Sequence, residues 1–156
     1  MIEGVRLLPL RRFEDGRGWF VELRRESALP KPSLQTNLSF SRRGVIRGLH
    51  YHERGQDDLF VCLQGTARVV VLDRRSGETF SADIGDENPV AVYVPGHHGH
   101  GFEALTDVLF LYHVSEEYDP ADPDEHEIPW DDPRVVHLWS TRSPILSQRD
   151  AAAVSS

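Results

Sequence analysis

Short segments rich in β-branched, aromatic and aliphatic residues recur along the chain, and turns containing Gly or Pro separate them. Residues 35–41 alternate polar and apolar side chains, which is the period-two signature of a strand, and residues 108–114 form an apolar run. The 3.6-residue period of an amphipathic helix is not sustained over any window of about 11 residues or more. Strand-like segments at intervals of about 8–12 residues are typical of a sandwich or barrel. We therefore predict an all-β fold with short helical or irregular terminal segments.

Length and composition set further bounds on the chain. At 156 residues it is long enough to bury a core, and we expect one domain over residues 1–150 and a disordered tail over 151–156. No apolar run approaches the roughly 18 residues of a membrane span, and the N-terminus lacks the basic and apolar regions of a signal peptide. The single cysteine, Cys62, rules out an intrachain disulfide. These features predict a cytoplasmic protein.

The charge balance restricts the class of partner. The formal net charge is −8 at pH 7, whereas nucleic acids and anionic membranes select a basic surface, so neither is expected as a partner. A small anionic ligand remains compatible because a few arginines can hold it locally. The acidic run over residues 116–127 is expected to be a solvated loop or a cover over the barrel mouth, and His97 and His98 are expected in an exposed loop.

The stretch over residues 44–52 delivers an arginine and two histidines to one small region. His50 and His52 share one face of a strand because side chains repeat every two residues. Arg47 has the opposite parity from His50, so a bulge at the intervening glycine is expected. The spacing of this stretch resembles the first cupin motif, and residues 95–102 with His100 resemble the second. The resemblance implies a cupin-type jelly roll, or double-stranded β-helix, with His50, His52 and His100 pointing into its mouth.

A closer resemblance extends over residues 13–150. The segments that carry it are Asp-Gly-Arg-Gly-Trp-Phe-Val-Glu (15–22), Gln-Thr-Asn-Leu-Ser (35–39), Gly-Val-Ile-Arg-Gly-Leu-His-Tyr (44–51), Val-Pro (94–95), His-Gly-Phe (100–102), Leu-Tyr (111–112), Tyr-Asp-Pro (118–120), Ile-Pro-Trp-Asp-Asp-Pro (128–133) and Leu-Ser-Gln-Arg-Asp (146–150). With these segments in this order, the sequence resembles the dTDP-4-dehydrorhamnose 3,5-epimerase family of nucleotide-sugar enzymes.

The resemblance implies a role for each of these positions. His50 is the base that removes a proton beside a ketone, Asp150 orients it, and Tyr112 protonates the opposite face of the sugar. An imidazole suits the step because its ordinary pKa lies near the working pH. Arg47 is expected to neutralise charge on the ligand. The family's remaining substrate-binding positions, some of them donated across a homodimer interface, correspond to Arg17, Phe20, Glu22, Gln35, Asn37, His100 and Tyr118.

The sequence departs from the family at three positions, one of which is His52, where the family has a glutamine. Asp58 stands where the family has a lysine that stabilises the enolate, and Val61 stands where it has an arginine. A carboxylate facing a developing enolate would repel it. Lys31 lies in a different segment and is not an obvious replacement.

The same departure suggests a metal site. His50, His52, Asp58 and His100 would form a set of three histidines and one carboxylate, which suits a divalent transition metal. In that case His50 would be a ligand rather than a free base.

Three hypotheses follow. The leading one is an epimerase or isomerase of a dTDP-4-keto-6-deoxyhexose, working as a homodimer on a small molecule without a cofactor. The second is a metal-dependent cupin enzyme, either an oxygenase or a metal-assisted isomerase. The third is a cupin that binds a nucleotide sugar without turning it over.

Overall fold

Two five-stranded antiparallel sheets and a two-stranded hairpin make up the fold in a computed structural model that describes residues 1–154. The strands are β1 Arg6–Pro9, β2 Arg12–Asp15, β3 Gly18–Val21, β4 Gln35–Ser41, β5 Ile46–Tyr51, β6 Asp57–Gln64, β7 Thr66–Leu72, β8 Thr79–Gly85, β9 Val90–Pro95, β10 Gly99–Ala104, β11 Val108–Val114 and β12 His126–Glu127. Two 3-10 helices span Glu26–Ala28 and Val136–Leu138, and the helix α1 spans Gln148–Ala152.

The strand order explains how the chain closes into a jelly roll. The first sheet runs β1-β9-β6-β11-β4, the second runs β12-β5-β10-β7-β8, and β2 pairs with β3 outside both. Neighbouring strands in each sheet are mostly distant in sequence, and every named pair is antiparallel. The prediction of an all-β jelly roll is confirmed.

The main core lies between the two sheets. Val69 and Val71 of β7 are fully buried against residues of the opposite sheet, including Phe110. The rings of Phe102 and Phe110 stack across the gap with centroids 3.9 Å apart. Val70, on the other face of β7, packs into a second cluster that the C-terminal segment covers. The unbroken apolar run of β7 therefore reflects burial on both faces.

A bulge shapes the strand pair that carries the histidines. His100 of β10 is in register with His50 of β5, but Phe102 is in register with Arg47, so β5 holds one extra residue between the two pairs. Gly48 lies in that interval with a φ of 126°, and a Cβ there would come within 2.8 Å of the Gly101 Cα atom. The expected bulge is confirmed, and it lets Arg47 and His50 reach the same cavity.

Several strands match the prediction closely, whereas β2, β10 and β12 do not follow from the sequence pattern. The predicted segments 35–41 and 108–114 correspond to β4 and β11. β10 begins with Gly99, His100 and Gly101, which have little strand propensity, and β12 is a two-residue strand within the acidic run that is predicted to be a loop. α1 includes residues 151 and 152 of the predicted tail, while residues 155 and 156 lie outside the described part.

No helix within residues 1–154 combines the length and the apolar character that crossing a bilayer requires.

Candidate active site

A cavity of about 390 Å³, here called the inner cavity, opens beside β5 and β10. Its lining combines aromatic side chains with most of the predicted chemical groups. The lining residues that matter for the site are Arg47, His50, His52, Gln56, Asp58, Phe60, His100, Phe102, Phe110, Tyr112, Glu125, Arg149 and Asp150. A second, outer cavity of about 610 Å³ shares Gln56, Tyr112 and Glu125 with it. The two cavities therefore meet at these three side chains.

His50 and Asp150 form a hydrogen-bonded pair. The His50 Nε2 atom lies 2.8 Å from Asp150 Oδ1, and Asp150 is only 5% exposed. The other carboxylate oxygen accepts a hydrogen bond of 3.1 Å from the Gly48 backbone N–H. Because an ionised carboxylate only accepts, the hydrogen bond to Asp150 requires a proton on His50 Nε2, and the Arg149 guanidinium 3.1 Å away, itself a donor, then acts on this nitrogen through its charge alone. Its Nδ1 atom then keeps the lone pair that a general base needs.

The short helix α1 explains why Asp150 lies at this point. Ser147 is its N-cap, and the Asp150 backbone N–H donates to the Ser147 side chain over 3.1 Å. The cap fixes the first turn and turns Asp150 towards β5. Burial alone would raise the pKa of Asp150, but the hydrogen bond and charge of His50, together with the Gly48 N–H, hold it below the ordinary value.

Arg149 adds a positive charge next to the dyad. Its Nη2 atom lies 3.1 Å from His50 Nε2, and its Nη1 atom donates to Glu125 Oε2 over 2.6 Å. A third contact of 3.0 Å joins its Nε atom to Glu127. Arg149 therefore ties α1 to the segment that contains β12. Arg149 belongs to the Leu-Ser-Gln-Arg-Asp segment of the family resemblance, but the sequence does not predict a site role for Arg149 or for Glu125.

A second group of ionisable side chains lies in the same cavity. His52, Asp58 and His100 are each 4% exposed, and their ligand atoms lie within 4.8 Å of one another. His100 Nε2 is 3.3 Å from Asp58 Oδ2, and His52 Nε2 is 3.9 Å from Asp58 Oδ1. We call these three residues the His-Asp-His cluster. Three of the four residues predicted as a metal set form this cluster, and the fourth, His50, hydrogen-bonds Asp150.

Backbone carbonyls fix both rings of the cluster. His52 Nδ1 lies 2.6 Å from the Asp124 carbonyl oxygen, and His100 Nδ1 lies 2.9 Å from the His98 carbonyl oxygen. A carbonyl can only accept, so each ring carries a proton on Nδ1 and, when neutral, directs a lone pair from Nε2. The Gln56 amide nitrogen lies 3.1 Å from His52 Nε2 and 2.9 Å from Asp58 Oδ1, consistent with donation to both.

The electrostatics of the cluster follow from burial and proximity. Burial would raise the pKa of Asp58, but the charge of His100 holds it below the ordinary value. Burial opposes the charged form of His100, and Asp58 reverses this, so the pKa of His100 is raised. Burial and the neighbouring charge of His100 together lower the pKa of His52. The buried carboxylate therefore favours one positive charge between itself and the two rings.

Tyr112 stands where the two cavities meet. It is paired with Phe60 in the β11–β6 register, and the two rings are edge-to-face with centroids 6.3 Å apart. Burial and the negative charge of Asp58 raise the pKa of Tyr112. The phenol therefore stays protonated at neutral pH and is able to donate a proton.

Five predicted binding residues line the cavities of this chain, and one of them, His100 of the inner cavity, is described above. Arg47 lines the inner cavity, where its Nε atom donates to Ser41 Oγ over 2.8 Å. Gln35, Asn37 and Tyr118 line the outer cavity. The Gln35 and Asn37 side chains hydrogen-bond each other over 2.9 Å, and Gln35 also accepts from the Tyr118 backbone N–H. The acidic run contributes to this outer cavity through Glu116, Glu117, Asp119, Asp122, Asp124 and Glu125.

The other three predicted binding residues lie on or next to the β2–β3 hairpin. Arg17 pairs with Asp15 in its turn, and its side chain is 91% exposed. Phe20 is 64% exposed, and Glu22 pairs with Arg25. None of the three lines the inner or the outer cavity of the same chain.

The chain's single lysine does not take the place of the family lysine. Lys31 lies 3.3 Å from Asp57 and donates to the Gly55 carbonyl oxygen, and it does not line the inner cavity.

The prediction that His98 lies in an exposed loop is wrong. His98 is buried, and its Nε2 atom lies 2.9 Å from the Glu3 carbonyl oxygen.

Sequence reasoning missed Gln56 and Asp124. Gln56 lies two residues before Asp58, and the shared parity of a strand was the available signal. Asp124 has no such signal, because it reaches His52 through its backbone and caps the Glu53 and Arg54 N–H groups through its carboxylate.

Comparison with known proteins identifies the family of the chain. The family profile described as dTDP-4-dehydrorhamnose 3,5-epimerase matches residues 1–156. The chain belongs to this family. The suspected resemblance is thereby confirmed, and with it the assignment to the isomerase class of enzymes.

Relatives within the epimerase family differ in their described activities. The chain is 38% identical over 149 residues to the spore coat polysaccharide biosynthesis protein SpsL of Bacillus subtilis, covering 90% of this chain and 98% of that protein. It is 36% identical to a dTDP-4-dehydrorhamnose 3-epimerase of Streptomyces niveus, covering 98% of this chain and 80% of that protein. It is 35% identical to a dTDP-4-dehydrorhamnose 3,5-epimerase of Pseudomonas aeruginosa, covering 96% and 89%.

Solved structures of epimerases share the fold. NovW, a 4-keto-6-deoxy sugar epimerase of Streptomyces spheroides, superposes with a TM-score of 0.88 at 34% identity and covers 98% of this chain and 83% of that chain. The rmlC epimerase of Mycobacterium tuberculosis superposes with a TM-score of 0.89 at 32% identity, covering 99% and 84%.

Proposed function

We propose that this chain is an epimerase of a dTDP-linked 4-keto-6-deoxyhexose, and that it inverts C3, C5 or both by proton abstraction beside the ketone. The observation that carries the proposal is the hydrogen bond between His50 and the buried Asp150 at the wall of the inner cavity. Described relatives include both a 3-epimerase and a 3,5-epimerase, so either carbon is within the proposal. The reaction is redox-neutral and needs no organic cofactor.

His50 is the proposed base and Asp150 its positioning residue. His50 Nδ1 takes a proton from the carbon beside the ketone, and the C–H electron pair moves to the carbonyl oxygen as an enolate. The imidazolium that forms is stabilised by the Asp150 carboxylate on its other nitrogen. The buried N-cap geometry of Asp150 supports this role, since it holds the imidazole in a single tautomer.

Tyr112 is the proposed acid. The enolate collapses to the ketone while the carbon takes a proton from the phenol on the face opposite the base, which inverts the centre. The raised pKa of Tyr112 supports the role because the phenol is protonated before the step. Exchange with water then reprotonates the tyrosinate and deprotonates the imidazolium, so hydrogen from solvent enters the product.

Solvent deuterium tests the function directly. The chain is incubated in D2O with dTDP-4-keto-6-deoxyglucose, and deuterium at C3 and C5 is followed by NMR and mass spectrometry. We expect incorporation by the wild type and loss of it in His50→Asn. His97→Asn, which changes an exposed histidine outside the inner cavity, is the matched control and should retain incorporation. Tight nucleotide-sugar binding without deuterium in any 4-keto substrate would contradict the proposal and favour a non-catalytic binding protein.

The nucleotide is proposed to bind from the inner to the outer cavity. Arg47 would meet the diphosphate or the carbonyl, and His100 would lie beside the sugar. Gln35, Asn37 and Tyr118 would contact the nucleotide. Their location along one continuous surface supports this, because the two cavities share Tyr112.

A homodimer is proposed on the evidence of strand β4. β4 is an edge strand whose inward-facing residues are polar, while Leu38 and Phe40 point outward with 61% and 55% exposure. This pattern is inverted relative to a strand with one solvated face. The nearby hairpin also exposes Phe20, at 64%. A second copy covering these surfaces would bury the apolar side chains and bring Arg17, Phe20 and Glu22 to the partner's cavity.

The dimer is tested by light scattering after size-exclusion chromatography. Phe40→Asp is expected to give a monomer with weaker substrate binding, because it places a charge in the interface. Leu7→Asp, on β1 at the opposite edge of the same sheet and 40% exposed, is the control and should remain dimeric. A wild-type monomer, or a Phe40→Asp dimer, would contradict this arrangement.

The proposed location is the cytoplasm. Cys62 is free and buried, which suits a reducing compartment as well as a non-reactive core position. Cell fractionation should recover the chain with cytoplasmic markers, and its recovery from the secreted pool would contradict the proposal.

A further inference from the structure

We infer that the His-Asp-His cluster is a binding site for one divalent transition-metal cation. His52, Asp58 and His100 supply two imidazole nitrogens and a carboxylate oxygen, a donor set that suits Mn²⁺, Fe²⁺, Co²⁺, Ni²⁺ and Zn²⁺. The site differs from the His50–Asp150 dyad, whose atoms it does not use.

The distances within the cluster fit a single ion. Ligands held at about 2.1 Å from a tetrahedral cation lie about 3.4 Å from each other. His100 Nε2 and Asp58 Oδ2 are 3.3 Å apart, and His52 Nε2 and Asp58 Oδ1 are 3.9 Å apart. Small side-chain rotations bring all three into one coordination sphere.

The hydrogen bonds around the cluster prepare both rings as ligands. The Nδ1 atoms of His52 and His100 face carbonyl oxygens of Asp124 and His98, so each Nε2 presents a lone pair to the centre. Metal-ligating histidines are usually oriented in this way by a partner on the other nitrogen. Without a metal, a proton between His100 and Asp58 and the Gln56 amide satisfy these acceptors, and a bound cation would take the place of both.

In the metal-free chain, the Gln56 side chain occupies part of the position that a cation would take. Its amide nitrogen contacts both His52 Nε2 and Asp58 Oδ1. In the metal-bound form the amide would rotate away or present its carbonyl oxygen as a further ligand. Within residues 1–154, no Lys or Arg side chain lies within ion-pair distance of Asp58, so its ion-pair partners are the two histidines alone.

The position of the site gives the cation a role, and this part rests on the proposed function. The cluster, His50 and Tyr112 line the same cavity. Proton abstraction beside the ketone places negative charge on the carbonyl oxygen, and a cation with an open coordination position would stabilise that charge.

Metal content tests the site without any activity measurement. The chain is purified without a histidine tag or a nickel column, stripped with EDTA, and titrated with Co²⁺ and Zn²⁺. We expect one equivalent per chain, visible absorption bands from bound Co²⁺, and a higher melting temperature with Zn²⁺. His100→Gln and Asp58→Asn should weaken binding on the order of 100-fold. His97→Gln and Asp150→Asn should bind as the wild type does.

The outcomes separate the site from the reaction. Circular dichroism establishes that each variant is folded, and His52→Gln provides a second ligand substitution if Asp58→Asn unfolds. Substoichiometric binding, or binding unchanged by the ligand variants, would overturn the site and leave a metal-free ion pair of His100 with Asp58. Equal turnover before and after chelation would overturn the role at the enolate. If the protein binds one metal ion but shows no turnover with or without it, the metal site stands and the proposed epimerase function is overturned.

Discussion

Two histidine–aspartate arrangements share one cavity, and they differ in what holds the second ring nitrogen. At the dyad, His50 Nε2 meets Asp150 and, within residues 1–154, its Nδ1 atom has no hydrogen-bond partner. At the His-Asp-His cluster, backbone carbonyls hold the Nδ1 atoms of both rings, and the Nε2 atoms face Asp58. Under the proposals above, the carboxylate prepares His50 to act as a base, whereas the backbone carbonyls prepare His52 and His100 to act as ligands. The partner of the second ring nitrogen is thus the feature that distinguishes the two proposed roles.

The largest expected effect is the loss of turnover in Asp150→Asn, a substitution that changes the dyad and leaves the His-Asp-His cluster intact. Asp150→Asn keeps the shape but can stabilise the wrong imidazole tautomer, so turnover should fall on the order of 10⁴-fold. Co²⁺ binding at the cluster should not change. Steady-state kinetics and Co²⁺ absorption measure the two effects on one sample, and Asp83→Asn, an aspartate paired with Arg68 outside the cavity, is the control. A parallel loss of metal binding would mean that the two arrangements are not independent.

Tyr112→Phe removes the proposed acid and leaves the base intact. Inversion should fall by about 10²–10⁴-fold, since one proton transfer is lost. Abstraction and return by His50 should continue, so recovered substrate should carry deuterium with its configuration retained. The ratio of exchange to inversion, measured by NMR in D2O, is the diagnostic quantity. Equal loss of exchange and inversion would contradict separate acid and base roles.

Gln56→Leu tests the His-Asp-His cluster through the stability of the chain with and without Zn²⁺. It deletes the amide that contacts His52 and Asp58, so the metal-free chain should lose about 1–3 kcal/mol of stability. Saturating Zn²⁺ should restore part of that loss, because the ion satisfies the same two side chains. Urea unfolding with and without Zn²⁺ measures it. Gln64→Leu, an exposed glutamine on the same strand, should stay within about 0.5 kcal/mol in both conditions. Absence of any Zn²⁺ rescue would argue that Gln56 supports a metal-free cluster.

The smallest expected effect concerns acid stability. The pKa of Asp150 is lower in the folded chain than its ordinary value, so its contribution to stability is present above that value, about 3.9 in an unfolded chain. The contribution is lost as pH falls through the lower, folded-state pKa. Asp150→Asn should therefore reduce the dependence of unfolding free energy on pH in the acid range. A pH series of urea melts checks this, and an unchanged slope would mean that other carboxylates dominate.

The fold class and the pairing of His50 with Asp150 could be predicted from the sequence. Strand periodicity and turn residues are local properties, so β4 and β11 could be predicted nearly to the residue. The parity of Arg47 and His50 even required the bulge at Gly48. β10 could not be predicted in the same way, because its glycines are explained by contact with a distant strand rather than by local propensity.

Only the tertiary structure decided how the histidines are divided. From the sequence, His50 and His52 share a strand face and both could have been ligands of one ion with Asp58 and His100. The placement of Asp150 by α1 assigns His50 to the dyad, and the carbonyl of Asp124 assigns His52 to the cluster. Residue types and spacing determine which groups reach the cavity. The proton on each ring depends on partners that are 100 and 72 residues away in sequence, and only the folded chain brings those partners into contact.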